Sequence, residues 1–376
     1  MSSLTSRLPA IDALRGLVMI IMALDHTREF FHIGAQTFNP EDLTKTTAAL
    51  FFTRWITHLC APTFFFTAGL GAAFWLKPGR TKGQLSAYLA KRGLWLILLE
   101  LTVLRFALFF RLDFGPILLS ILWALGLAMI TLAALIHLPP RILAILSCAV
   151  IALHNLADPI RLSGPAQILH QLGFFQLAGV PFVSVYPWAP WFAVMALGYT
   201  FAPLVQDRKK LIQLGLTAIA AFVALRFLNV YGDPVPWDGS FLSFFRCNKY
   251  PPSLDYLLMT LGPALLLLAA FQKRQHPILL TYGRAPLFYF LVHFFVLHLL
   301  TFPLGYLRYG RIDFLWTPSP VFGGPPNVYP PNYGYSLGET YLIWIVVVII
   351  MYPLCRLYTR RRKNASTLAA SAAGLH

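Results

Sequence analysis

The sequence has 376 residues, of which 57% are hydrophobic and only 12% are charged, and its mean hydropathy is +0.64. A soluble globular protein does not need this much apolar surface, so the composition excludes that class and indicates a polytopic membrane protein. The net charge of +16 would suggest a nucleic-acid partner in a soluble domain. Most Lys and Arg residues, however, stand in short segments between hydrophobic runs, where membrane orientation requires them. We therefore expect a lipid bilayer as the partner and no nucleic acid.

The first predicted span, residues 11–31, carries an ionisable pair, Asp25-His26, deep in its hydrophobic run. A charge in hydrocarbon costs about 2.5–3.5 kcal/mol on insertion scales, so such residues usually face a protein-lined or watery cavity. His26 stands eleven residues after Arg15, which on an ideal helix is three turns plus roughly 20°, about 16 Å along the axis. The two side chains share one face and indicate a single extended ligand that touches both. No small-residue cleavage site follows, so we interpret the segment as a retained first helix.

Ten predicted spans follow one another, each long enough for a hydrocarbon core of about 30 Å when tilt is allowed. They are residues 11–31, 48–76, 93–110, 116–138, 142–156, 187–205, 211–228, 254–271, 278–302 and 337–358. Basic residues in the even-numbered links place both termini in the cytoplasm. We expect an all-α, multi-pass helical bundle in the inner (plasma) membrane. One transmembrane domain would cover residues 1–363, and residues 364–376 would form a short disordered tail.

A charged stripe closes the first span, because Asp25, Arg28, Glu29 and His32 are spaced i, i+3, i+4 and i+7. An acid beside an imidazole can raise its basicity, so Asp25 and His26 form a candidate general base. The other charges of the stripe could bind a polar substrate or form a buried ion-pair network with the second helix, and the spacing leaves both readings open.

Later segments add further candidates. Arg54 and His58 share a face of the second span, ahead of a kink that Pro62 predicts. In the ninth span Arg284 falls near the cytoplasmic face, like Arg15, and His293 lies deeper. Lys249, between Asn248 and Tyr250, could bind an acceptor or a carboxylate from outside. The odd-numbered links are rich in Pro, Gly and aromatic residues, which favours ordered loops over a cavity, although a solvated loop has the same composition.

The histidines in or near spans also suggest a haem or metal site. No His-Glu-x-x-His motif or carboxylate cluster accompanies them, so we expect no metal. The four cysteines are scattered singly, which argues against a disulfide scaffold or a zinc ribbon.

Several motifs resemble a known family. The stretch Arg7-Leu8-Pro9-Ala10-Ile11-Asp12-Ala13-Leu14-Arg15-Gly16, followed by His26, resembles the opening of the transmembrane acyltransferase superfamily. Its acyltransferase-3 members have an Arg and a His with ten residues between them, and Arg15 and His26 match that spacing. Five further motifs resemble the bacterial DUF1624 branch, related to heparan-alpha-glucosaminide N-acetyltransferase: Leu24-Asp25-His26-Thr27-Arg28-Glu29-Phe30-Phe31, Thr57-His58, Tyr186-Pro187-Trp188, Lys249-Tyr250-Pro251-Pro252-Ser253 and Gly283-Arg284-Ala285-Pro286. The resemblance extends over nearly the whole chain.

This resemblance implies transfer of an acyl (acetyl) group from cytoplasmic acyl-CoA to a hydroxyl or amine acceptor, such as a sugar or envelope glycan, at the outer face. Arg15 and Arg284 are then the expected ligands of the CoA phosphates, and His26 with Asp25 the expected base. Lysosomal relatives carry Asn at the position of His26 and use a later His, so His32 and His58 remain candidates. The expected substrate-binding residues are Arg28, Glu29, Arg54, Lys249 and His293.

An alternative is a proton-coupled transporter or flippase, because charged stripes in spans also build proton relays. Transporters usually show inverted repeats or paired broken helices, and the sequence shows neither. A non-catalytic scaffold would leave the buried Asp25-His26 pair unexplained.

Overall fold

The computed structural model describes residues 8–112, 115–274 and 276–372, with side chains described as far as residue 365. It is mostly helical, with 70% helix and 5% strand. The α-helices are α1 (Pro9–Phe31), α2 (Ala48–Thr57), α3 (Cys60–Trp75), α4 (Lys82–Leu99), α5 (Arg105–Phe109), α6 (Ile121–Leu135), α7 (Pro140–Leu153), α8 (Trp191–Phe201), α9 (Arg208–Leu228), α10 (Phe241–Phe245), α11 (Leu254–Phe271), α12 (Pro277–Gly283), α13 (Pro286–Tyr309) and α14 (Leu337–Ala372). Arg7 of the quoted signature and residues 373–376 of the expected tail lie outside the described residues.

Six helical segments of the described chain are long and apolar enough to cross a membrane. They are Ala48–Trp75, Pro140–Ala157, Arg208–Leu228, Leu254–Phe271, Pro286–Tyr309 and Leu337–Ala365. Large apolar side chains remain exposed along several of them, as on α9, where Leu216 and Phe227 are more than half exposed. Such faces suit contact with lipid rather than water, and the protein is a membrane protein.

The chain folds into two compact units. The first, here called the α1 unit, is formed by the described residues within Pro9–Thr57, Ala107–Phe110 and Phe271–His376. It contains α1, α2 and α12–α14, together with the end of α5. The second, the α3 unit, is formed by His58–Phe106 and the described residues within Arg111–Ala270, together with Leu8. It contains α3, α4, α6–α11 and a small sheet.

Prolines divide two of the predicted spans into two helices each. Pro62 has no N–H to donate to the carbonyl of His58, four residues before it. The hydroxyl of Tyr256 donates to that carbonyl instead, at 2.9 Å, and the helix is interrupted between Thr57, the last residue of α2, and Cys60, the first of α3. Pro286 likewise begins α13 directly after α12 has ended at Gly283.

The three-stranded sheet corrects the all-α prediction. Strands β1 (Ile117–Leu119), β2 (Gly173–Leu177) and β3 (Val180–Ser184) lie in the order β1-β3-β2, with β1 parallel and β2 antiparallel to β3. We predicted residues 116–138 as one helix, but α6 begins only at Ile121. The reason is the buried carboxylate of Glu100, which accepts hydrogen bonds from the backbone N–H groups of Ser120, Leu122 and Trp123. It caps α6 there, and residues 117–119 are left extended.

Candidate functional site

His26 and Glu29 form a hydrogen-bonded pair on α1. The Nδ1 atom of His26 lies 2.8 Å from Oε2 of Glu29, and both side chains are about one-fifth exposed. The pair forms because positions i and i+3 are neighbours on a helix surface. The second ring nitrogen of His26, Nε2, has no hydrogen-bond partner among the described residues. A carboxylate on Nδ1 fixes the ring and its tautomer and leaves Nε2 to accept a proton.

Asp25 does not orient His26, although the sequence suggested that it would. Its Oδ1 accepts a hydrogen bond from Nη2 of Arg28 at 3.0 Å, and its Oδ2 accepts one from Nη1 of Arg54 on α2. Successive residues on a helix project about 100° apart, so Asp25 points toward α2 while His26 points elsewhere. The carboxylate in contact with His26 is that of Glu29.

These contacts continue as one chain of ion pairs. Nε of Arg54 lies 3.4 Å from Oε1 of Glu41, and Nη2 of Arg28 lies 3.7 Å from Oε1 of Glu29. The carboxylates of this chain are those of Asp25, Glu29 and Glu41, and its guanidinium groups are those of Arg28 and Arg54. The ion-pair network that the sequence left open for Arg28, Glu29 and Arg54 is therefore present in the structure.

Two residues of α13 pack against the His26 ring. The ring centroid of His293 lies 5.3 Å away and that of Phe294 lies 4.4 Å away. Nδ1 of His293 donates to the carbonyl of Tyr289 at 3.0 Å, while its Nε2 is buried without a hydrogen-bond partner in the described part of the chain. The structure thus brings together two of the predicted site residues, from α1 and α13, and presents a second open imidazole nitrogen beside the first.

The backbones next to Arg15 on α1 and Arg284 after α12 are in contact. A Cβ atom added to Gly283 would lie 1.7 Å from the carbonyl oxygen of Asp12 and 2.9 Å from the backbone nitrogen of Gly16. Only glycine allows this approach of α12 to α1, and each arginine is the sequence neighbour of one of the two glycines. Arg15 lies 3.9 Å from the Asp12 carboxylate, whereas the Arg284 guanidinium has no ion-pair partner among the described residues. The contact therefore brings the backbones of the two arginines close together.

His32 has a local structural contact. Its Nδ1 accepts a hydrogen bond at 3.1 Å from the N–H of Gly34, where it caps the short 3-10 helix Ile33–Gln36. Burial, and then the positive charge of Arg28, lower the pKa of His32. The ring is therefore held neutral with one nitrogen already in use.

His58 and Lys249 belong to the α3 unit, whereas the other predicted site residues belong to the α1 unit. The buried ring of His58 packs on Tyr256, with centroids 5.2 Å apart. The Nζ atom of Lys249, also buried, lies 5.1 Å from the ring centroid of Tyr250 and 5.9 Å from that of Tyr186. Lys249 has no carboxylate partner in the described part, so its ammonium group is held by aromatic faces and can still pair with an anion.

The link between α13 and α14 is ordered, as predicted, and closes over a cavity in the α1 unit. Phe314, Leu315 and Tyr333 form a buried cluster within this link. The cavity has a volume of about 20 Å³, and its lining includes Phe30, His298, Thr301, Ser319, Phe322 and Tyr329. Phe30 follows His26 by one turn of α1, so the cavity adjoins the His26 site on the side away from Arg15.

Sequence reasoning missed a second group of ionisable residues, His154, Asp158 and His170 in the α3 unit. Their potential ligand atoms lie within 4.8 Å of one another. Burial alone would raise the pKa of Asp158, but hydrogen bonds from His170 and Asn155 lower it below its usual value. The His-x-x-x-Asp spacing was a signal in the sequence, while the return of His170 to the same place depends on the loop.

Comparison with known proteins agrees with the resemblance seen in the motifs. No curated protein matches the chain. The family model described as heparan-alpha-glucosaminide N-acetyltransferase, catalytic, matches residues 7–235, which is more than half of the sequence. This match covers α1, the Glu29–His26 pair and Arg54. The chain therefore belongs to the heparan-alpha-glucosaminide N-acetyltransferase catalytic family of membrane acyltransferases.

Proposed function

We propose that this protein transfers an acetyl group from cytoplasmic acetyl-CoA, across the thickness of the membrane, to a hydroxyl or amine acceptor at the outer face. The family match supports acyl transfer in general. The observation that carries the proposal is the His26–Glu29 pair, because a half-buried imidazole with one nitrogen on a carboxylate and the other open is the arrangement that general-base catalysis needs.

In the proposed reaction Nε2 of His26 takes the proton of the acceptor hydroxyl or amine as its oxygen or nitrogen attacks the thioester carbonyl. The new C–O or C–N bond forms, the C–S bond breaks, and the CoA thiolate receives the proton back from the imidazolium. Glu29, and behind it the ion pairs of Arg28, Asp25 and Arg54, would stabilise the transient positive charge on His26. Such a base contributes about 10²–10⁴-fold to the rate.

The donor end is proposed at Arg15 and Arg284. Two guanidinium groups on touching backbones suit the phosphates of CoA, since Arg binds phosphate oxygens through paired N–H donors. From Arg15 to His26 is about 16 Å along α1, on the order of the length of a phosphopantetheine arm. The thioester would then reach His26 while the nucleotide stays at the cytoplasmic mouth.

The acceptor end is proposed on the opposite side of His26. The cavity beyond Phe30 lies on that side of His26, and His293, with its open Nε2, is the proposed binding contact for the acceptor. Lys249 is a candidate for an anionic or polar group of the acceptor. The name of the matched family contains an α-glucosaminide, so an amino sugar or an envelope glycan is the first acceptor class to test. This arrangement also requires the proposed ten spans, with both termini in the cytoplasm of the inner membrane.

The experiment uses purified full-length protein in nanodiscs with labelled acetyl-CoA and methyl α-D-glucosaminide as the acceptor probe. Wild type is compared with His26→Gln and with His276→Gln, a half-buried histidine of the same unit outside the site. We expect a loss of about 10²–10⁴-fold for His26→Gln and no loss for the control. Envelope mass spectrometry with and without the protein identifies the natural acceptor by its lost acetyl or longer acyl group.

Two outcomes would overturn the proposal. One is full acyl transfer by His26→Gln at normal expression. The other is flux of a small molecule through liposomes without any CoA requirement, which would favour the transporter instead.

A further inference from the structure

A metal-like cluster lies at the end of α7 in the α3 unit. His154 begins a 3-10 turn (His154–Ala157), Asp158 follows four residues later, and His170 follows the 3-10 segment Gly164–Leu169. Nε2 of His170 lies 2.9 Å from Oδ1 of Asp158, and the donor atoms of all three residues lie within 4.8 Å of one another. Two imidazoles and one carboxylate therefore converge on one point.

His154 is the residue that this arrangement leaves unexplained. It is only 8% exposed, and neither of its ring nitrogens has a hydrogen-bond partner among the described residues. Burial of a polar group without a partner is costly, so native structures rarely leave one. Its ring stands edge-on to that of His170, with centroids 5.4 Å apart, so an available nitrogen of His154 lies beside the other two donors. A bound ligand would satisfy it.

The donor set selects the class of ligand. Imidazole nitrogen and carboxylate oxygen together suit Zn²⁺ and similar divalent transition metals, whereas Mg²⁺ and Ca²⁺ prefer oxygen alone. Tetrahedral Zn²⁺ with bonds of about 2.0–2.1 Å places its ligand atoms roughly 3.3 Å apart. The observed separations, from 2.9 Å to at most 4.8 Å, reach that geometry through small side-chain rotations.

The surroundings also orient the carboxylate. Nδ2 of Asn155 donates to Oδ2 of Asp158 at 2.8 Å, which leaves Oδ1 for the cluster. Oδ1 of Asn155 in turn accepts from the backbone N–H of Leu254 at 2.9 Å. Metal-binding carboxylates characteristically have such an outer partner, because it fixes the oxygen that faces the metal.

We propose that His154, Asp158 and His170 bind one divalent transition-metal ion of the zinc type, with the fourth position taken by water. The ion would join the end of α7 to the segment that leads to the Tyr186-Pro187-Trp188 motif, since Ile168 and Leu169 accept hydrogen bonds from the backbone of Trp188 and Ala189. The proposal does not depend on the acyltransferase mechanism. It departs from the sequence-based expectation of no metal, which considered other histidines.

The competing reading is an Asp158–His170 ion pair with a neutral His154 packed against it, and a Co²⁺ titration separates the two. Full-length protein, purified in detergent with a tag that contains no histidine, is treated with a chelator and titrated with Co²⁺. We expect one equivalent to bind with the visible bands of four-coordinate Co²⁺, and Zn²⁺ to displace it. His154→Ala and Asp158→Asn should lose this stoichiometric binding, whereas His137→Ala, an exposed histidine of the same unit, should keep it.

Thermal unfolding gives a second readout that needs no variant. Zn²⁺ should raise the Tm of the chelated wild-type protein, because a ligand that binds only the folded state stabilises it. Absence of Co²⁺ binding at millimolar concentration, or equal binding by wild type and Asp158→Asn, would refute the metal site. If His154→Ala does not fold, the wild-type titration and Asp158→Asn still decide the question.

Discussion

Replacement of Glu29 by Gln isolates the electrostatic contribution of the carboxylate to catalysis. The amide keeps the shape of the side chain and an oxygen that can accept a hydrogen bond from Nδ1 of His26. It removes the negative charge that would stabilise the imidazolium when His26 takes a proton. Glu29→Gln should therefore lower kcat and change KM for acetyl-CoA little.

The size of the effect follows from the geometry. With Nδ1 and Oε2 at 2.8 Å, the two charge centres lie about 4 Å apart. Their attraction is about 4 kcal/mol at an effective dielectric constant of 20 and about 1 kcal/mol in water. Because both side chains are about one-fifth exposed, we take about 2–3 kcal/mol. This corresponds to a loss of roughly 30- to 150-fold in kcat.

The assay measures labelled acetyl transfer from acetyl-CoA to the glucosaminide probe. Glu339→Gln is the matched control, because Glu339 is an exposed glutamate of the same unit with an arginine neighbour, Arg308, at 3.7 Å. The double variant His26→Gln/Glu29→Gln should be no slower than His26→Gln alone, since Glu29 acts through His26. Unchanged kcat in Glu29→Gln, or losses that multiply in the double variant, would refute the reasoning.

Three further predictions concern binding and stability. Arg284→Ala should weaken CoA binding by about 10- to 100-fold, because one charge-assisted contact is lost. Arg274→Ala, which changes an exposed arginine, should leave CoA binding unchanged. Isothermal titration with CoA measures the affinity of each variant, and equal affinities would contradict the assignment. Gly283→Ala should prevent close packing of α12 on α1 and greatly reduce the yield of monodisperse protein. Gly338→Ala is the control and should be harmless, because the space around its Cβ position is open. A normal yield for Gly283→Ala would be inconsistent with the fold. The pKa of His32 is lowered on folding, so its neutral ring contributes to the stability of the folded protein above the unfolded pKa of about 6.5. That contribution is lost as the pH falls below this value, because the unfolded state then binds more protons. The Tm of His32→Asn should therefore fall less between pH 7 and pH 5 than the Tm of wild type, and parallel curves would argue against this.

The sequence by itself determined that this is a helical membrane protein, because composition and hydrophobic run length depend on no distant contact. It also determined the family through short motifs. Local spacing was enough to place Asp25 beside Arg28 on α1 and to locate the break at Pro62, since both follow from helix geometry within four residues.

The tertiary structure decided which partners the ionisable residues have. The sequence suggested Asp25 as the partner of His26, but Arg54 of α2 forms an ion pair with Asp25, and Glu29 contacts the imidazole instead. Glu100 and the strand before α6 were unpredictable for the same reason, because the cap joins residues twenty positions apart.

Two groups of residues that come from separate segments show this division most clearly. Arg15 and Arg284 were each visible as cations at a predicted membrane surface, yet only the contact of Gly16 with Gly283 places them together. His154, Asp158 and His170 were not singled out at all. A spacing pattern reports which side chains share one helix, whereas a binding site needs side chains from separate segments, and their meeting depends on packing that no single stretch of sequence encodes.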